Sequence, residues 1–188
     1  NQGIINNDEN TTSEILSLKE LKNDLRVSNY MNSNQELLIQ IKDINKIQEL
    51  SSKETLNNSE LNEMALAMGF ESYDEYLDYT KIQKDLLISL NKDYNLTNYD
   101  ATDIYGVLYV EDENVAYRRD CGSSCDRTYR NCMGASTAAA FAAHAGCIGL
   151  DPTIIGGIIC HGAALAVQYF VQDECGNQGL SCHRGCIK

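Results

Sequence analysis

The sequence predicts a mainly α protein in two parts: an N-terminal helical domain with a short strand-like segment, and a C-terminal antiparallel helical hairpin stapled by disulfides. Three observations carry this prediction. Apolar residues over the first hundred positions recur at helical spacing. All eight cysteines of the 188-residue chain lie at 121, 125, 132, 147, 160, 175, 182 and 186, in mirror-symmetric order. Charge divides at the same boundary, with 11 Lys+Arg against 23 Asp+Glu in residues 1–120 and four of each in residues 121–188.

Residues 1–12, rich in Asn, Asp and Thr, read as a flexible tail. An acidic helical domain is expected over 13–102. Ser13 is suited to cap a helix carrying Ile15, Leu18, Leu21 and Leu25, Asn34 one carrying Leu37, Leu38, Ile41, Ile44 and Ile47, and Ser59 one carrying Leu61, Met64, Ala65 and Met68, stopped at Gly69. Ser72-Tyr-Asp-Glu75 is a capping-box pattern and opens a helix expected over about 73–91. Asp103 to Val110, rich in β-branched and aromatic residues, reads as a strand, and with the acidic loop behind it forms a segment and linker over 103–120. This part has no His, no Cys, no phosphate-type glycine loop and no nucleophile elbow, so no enzyme is expected. Its acids read as solvated helix faces. Tyr73, Tyr76, Tyr79, Tyr94, Tyr99, Tyr105, Tyr109 and Tyr117 are read as core or half-core rather than as a binding face.

The cysteine-rich part, 121–188, is the more informative. Its first three cysteines run C-x3-C-x6-C and its last three C-x6-C-x3-C, so outermost-to-outermost positions sum to 307 at every level. At the centre stands Leu150-Asp-Pro-Thr153, with the chain's one proline, where Asp151 is suited to cap a helix that begins at Pro152. At 100° per residue, Cys125, Cys132 and Cys147 fall about 40°, 20° and 80° around a helix from Cys121, on one face. The predicted pairs are therefore nested: Cys121–Cys186, Cys125–Cys182, Cys132–Cys175 and Cys147–Cys160. A disulfide needs Cα atoms within about 4.4–6.8 Å, closer than the usual 8–10 Å between helix axes. Small residues must then line the contact, and both arms supply Gly and Ala: 134, 135, 138, 139, 142, 143 and 146, then 156, 157, 162, 163, 164 and 166. A zinc cluster of Cys147, Cys160, His144 and His161 is the competing reading of the inner turn. Neither arm has the C-x2-C knuckle of such sites and six cysteines would remain unpaired, so no metal and no cofactor is expected.

Asn131 to Leu150 and Pro152 to Gln172 each run at least 20 residues without a formal charge, long enough to cross a hydrocarbon core of about 30 Å. The preferred stored state is a soluble bundle covered by the first part. Uncovered, the hairpin would offer Ile148, Ile154, Ile155, Ile158, Ile159, Leu165, Val167, Phe170 and Val171 to a membrane. Arg118-Arg119, beside the boundary, is a candidate cleavage site. Cysteine density points to an oxidising compartment and a secreted protein, and Asn1, with no apolar leader, to an export signal already removed. Neither half has the basic face that nucleic acid requires.

The last 68 residues resemble the small cysteine-rich halocins, or microhalocins. The likeness lies in Cys121-Gly-Ser-Ser-Cys125, the Gly/Ala-rich run to Ala145-Gly-Cys147, the segment Cys147 to Cys160, and the cysteine-rich end from Cys175 to Cys186. It covers about a third of the chain and none of residues 1–120. It implies an antimicrobial peptide released from the C-terminal end of an exported precursor, with an N-terminal part that confers immunity by binding the peptide in cis, and a target-cell membrane or membrane receptor as partner. The alternatives are an uncleaved extracellular interaction or structural protein, a saposin-like lipid-binding protein and, last, a protease inhibitor.

Overall fold

A computed structural model describes residues 15–109, 121–150 and 154–186, with the side chains of 148–150 and 154–155 left aside. The described residues form a 3-10 turn at Leu18–Asn23, the helices α1 Leu25–Gln40, α2 Ile44–Ser51, α3 Asn58–Ala67 and α4 Tyr73–Tyr94, a short 3-10 turn at Leu96–Asn98, α5 Ala101–Leu108, and two long helices, α6 Cys121–Leu150 and α7 Ile154–Gly185. Among them there is no strand.

Local side-chain chemistry sets the breaks. Asp24 is extended and its carboxylate accepts from the Arg26 backbone N–H, so the stripe begun at Leu18 stops and α1 starts afresh at Leu25. Ile15 and Leu25 are consequently exposed and Leu21 alone of that stripe is fully buried. The Asp24 carboxylate also binds the Arg26 guanidinium at 2.7 Å, and the same guanidinium reaches Asp93 at 2.7 Å, fastening the start of α1 to the end of α4. That hydrogen-bonded contact with Arg26 holds the Asp24 carboxyl down at about 2. Asn34, expected to cap a helix, lies inside α1; the break falls instead at Asp43, which accepts from the Lys46 N–H and opens α2. Asn57, not Ser59, caps α3, in a reciprocal box with Glu60. Ser72 caps α4 as expected, although the Glu75 carboxylate accepts from the Glu71 N–H rather than from Ser72.

The strand-like segment needs correction. Residues 101–108 are helical, with Asp100 accepting from the Asp103 N–H at 2.8 Å. Ile104, Val107 and Leu108 stand three and four residues apart, so a helix puts all three on one face. There they pack with Leu21, Leu96 and Phe141, and that burial outweighs their β propensity. Of the tyrosines, Tyr76 and Tyr94 are core residues, while Tyr105 and Tyr109 stack on each other.

Four disulfides join α6 to α7: Cys121–Cys186, Cys125–Cys182, Cys132–Cys175 and Cys147–Cys160, with Cα separations of 5.6, 5.6, 5.7 and 6.0 Å. These are the nested pairs of the palindromic spacing. Ala138, Ala142, Ala145 and Ala166 are each no more than 3 % exposed. The expected cap and first turn at Asp151 and Pro152 lie outside the described residues.

The apolar core consists of two clusters, and each draws on both parts of the chain. One gathers α1, α2, α3 and Tyr76 around Ile158, Leu165 and Ala166 of α7. The other gathers Leu21, Val27, Tyr30, Leu87, Leu90, Leu96 and Ile104 around Phe141, Ala142 and Ala145 of α6. Between α3 and α4 the chain turns at Gly69 with φ +100, its Cα packed so closely on the Gln40 carbonyl that a Cβ would collide with it. A Gly69→Ala substitution is therefore expected to cost about 1–3 kcal/mol, read as a lowered urea midpoint with unchanged m-value.

Candidate functional site

The region of interest is the seat in which the stapled hairpin meets the N-terminal helices. Phe141, Ile158 and Leu165 are each at most 1 % exposed there. Full burial of side chains of this size is worth about 1.5–3 kcal/mol each. The closest approach is at Gly162, where a Cβ would stand 2.6 Å from Ser51 Oγ and 3.4 Å from the terminal methyls of Met64 and Met68. The glycine thus lets α7 lie directly on α2 and α3.

Two polar arrangements cross the same boundary. Gln35 and Gln172 exchange a reciprocal pair of amide hydrogen bonds, both 3.0 Å, between α1 and α7. Deeper in, His144 of α6 and His161 of α7 face each other with ring centroids 4.3 Å apart, as their near-mirror positions in the sequence imply. They are 1 % and 7 % exposed. The Tyr79 hydroxyl donates to Asn34 Oδ1 at 3.2 Å. That leaves the Asn34 amide nitrogen to donate to His144 Nδ1 at 3.0 Å. The His144 proton is then on Nε2, and the Nε2 atoms of both histidines are buried without a hydrogen-bond partner. Tyr30 packs edge-on against both His144 and Phe141. Burial lowers both imidazoles, His161 to about 4 and His144 well below its ordinary value, the latter helped by its histidine neighbour.

This geometry excludes the zinc cluster considered for the inner turn, since Cys147 and Cys160 are bonded to each other. The sulfurs of Cys121, Cys125 and Cys186 also lie within 4.8 Å of one another. As members of two disulfides they offer no thiolate to a metal.

The nine residues expected to meet a membrane separate into groups. Ile158 and Leu165 are buried in the seat and Ile159 packs against it. Val167, Phe170 and Val171 stand on the surface at 64, 41 and 41 % exposure. The side chains of Ile148, Ile154 and Ile155, and the dibasic Arg118-Arg119, lie outside the described residues. Among the described residues no helix is long and apolar enough to cross a membrane, and the uncharged runs 131–150 and 152–172 lie partly outside those residues. Asn34, Ser33 and Gln83, whose side chains link α1 to α4 behind the histidines, carry no local signal of that role.

The chain matches no known family model, and no curated protein or solved structure is significantly similar to it.

Filling the closest contact tests the seat. Gly162→Leu is expected to raise amide exchange in α2 and α3 at least tenfold while all four disulfides persist. Gly157→Ala, whose Cβ would meet nothing within 4 Å, is expected to leave exchange unchanged. Hydrogen-exchange mass spectrometry of both oxidised variants supplies the comparison.

Proposed function

We propose that this disulfide-rich, secreted protein is a bacteriocin-like antimicrobial precursor: its N-terminal helices shield an apolar hairpin, and cleavage near Arg118-Arg119 releases that hairpin to permeabilise a target membrane. Four disulfides belong to proteins that fold in an oxidising compartment. One observation carries the finer reading. Every cysteine lies in the hairpin and is bonded within it, whereas Phe141, Ile158 and Leu165 of the hairpin are buried against the other part. Covalent integrity and apolar cover thus come from different sources, which is what a releasable cargo requires. The resemblance of residues 121–188 to the small halocins supports the same reading and extends it to an N-terminal part that binds the hairpin in cis and confers immunity. With four basic and four acidic residues the hairpin is neutral, so its membrane action rests on apolar burial or on a membrane receptor rather than on attraction to anionic lipid.

A second reading, an uncleaved extracellular interaction protein, is favoured by the sharing of both core clusters between the two parts. Limited trypsin digestion of the oxidised protein separates the two. The expected result is cleavage between residues 109 and 121, an intact protein that leaves liposomes sealed, and a freed hairpin that causes dye leakage and inhibits bacterial growth. A freed hairpin that leaves vesicles and cells intact would overturn the antimicrobial reading.

A further inference from the structure

Two histidines sit where a charge is least tolerated. His144 and His161 belong to opposite arms of the hairpin, face each other at 4.3 Å between ring centroids, and touch the cover at Tyr30, Asn34 and Tyr79. Their cover contributes one hydrogen bond, from Asn34, and leaves both Nε2 atoms without partners. We propose that this pair is an acid-sensitive latch: a proton added to either imidazole unseats the stapled hairpin from the N-terminal helices while the disulfides keep the hairpin itself intact. The inference rests on the proposed reading of the hairpin as cargo and adds to it a physical trigger that loosens the cover without a cut.

The cover supplies no carboxylate to stabilise an imidazolium; the one contact that favours it comes from within the hairpin, a backbone hydrogen bond between His144 and His161, and burial outweighs it. From α1 the pair meets the Tyr30 ring and the Asn34 amide, and from α4 the Tyr79 ring, at 6.4 Å from that of His161. From α2 and α3, around the adjoining Gly162, come Ser51, Met64 and Met68. The titratable groups in this set are the two phenols, both kept protonated by burial, with Tyr79 pushed up to about 12. Glu36 of α1 acts on the Tyr79 phenol, but among the described residues no carboxylate acts on either imidazole. A proton on His144 would face a second imidazole, the Tyr30 ring and a donor amide at the Nδ1 side, and one on His161 a second imidazole and the Tyr79 ring. Exposure to water relieves the burial that opposes either charge.

The direction follows from linkage. Both imidazoles are depressed in the seated protein and return to about 6.5 when exposed, so the unseated form binds more protons between those values. The stabilisation of the seat is complete above pH 6.5 and is lost as pH falls toward 4. Relative to pH 7, the seating constant at pH 5 is expected to fall by about 20-fold through His161 alone, and further through His144. The Asp24 carboxylate, held at about 2 by Arg26, stays ionised over that interval.

The experiment uses the intact, oxidised chain, free of membranes and cells, so its outcome is separate from that of the leakage assay. Amide protection in α2 and α3 is followed by hydrogen exchange from pH 7 to pH 5, corrected for intrinsic rates, for wild type, for His144→Gln/His161→Gln, and for His183→Gln. His183 serves as the control because it is exposed and pairs with Asp126 at 2.8 Å, away from the seat. Protection is expected to collapse with acid in wild type and His183→Gln and to stay level in the double variant. Equal protection at pH 7 and pH 5 in wild type, or an unchanged acid response in the double variant, would overturn the latch. If the double variant does not fold, NMR titration of the wild-type imidazoles decides. The latch expects His144 and His161 to take up protons together with seat opening, and fails if they protonate while the seat stays closed or if it opens while they remain neutral.

Discussion

A disulfide reaches only so far, and that limit governs the architecture. Four bridges hold the Cα atoms of α6 and α7 within 5.6–6.0 Å at every cysteine level, which leaves no room between the helices for Leu, Ile or Phe. The two arms are accordingly rich in Ala and Gly. The bulky apolar residues Phe141, Ile158 and Leu165 of the hairpin pack with the N-terminal helices. Such a hairpin is covalently rigid yet has little core of its own. It needs something to lie against, and the N-terminal helices supply that surface.

The acidic part is organised by the same requirement. Its helices are separated by caps at Asp24, Asp43, Asn57, Ser72 and Asp100, so that each can turn an apolar face toward the shared core. Its acids remain on the outside, in exposed pairs such as Lys46–Glu49 that contribute little. At the junction the packing is not purely apolar. The Gln35–Gln172 amide pair sets register between α1 and α7, and the Tyr79–Asn34–His144 chain crosses the deepest part of the seat. A buried polar chain of this kind is specific only while its protonation state holds, which makes it the sensitive point of an otherwise oily contact.

Much of this is legible in the sequence because it obeys a period. The mirror order of the cysteines gives the disulfide register without reference to anything else, and the near-mirror positions of His144 and His161 place the two rings opposite each other. The 3.6-residue stripes locate most N-terminal helices. Reading fails where one residue type has two uses. Asn34 looks like a cap but is a buried donor in mid-helix, because its role depends on a histidine 110 residues away. Ile104, Val107 and Leu108 look like strand residues, yet a cap at Asp100 and a partner face on α6 make them a helix.

The central claim is that the hairpin is covalently complete in itself and is joined to its cover by packing and one chain connection. Cutting the oxidised chain between residues 109 and 121 and comparing size exclusion in native buffer with that in denaturant, both without reductant, tests this most directly. The account predicts co-elution of the two pieces in native buffer and their separation in denaturant, the C-terminal piece weighing eight hydrogens less than its reduced form. Pieces that stay linked in denaturant, or that part spontaneously in native buffer at neutral pH, would contradict it.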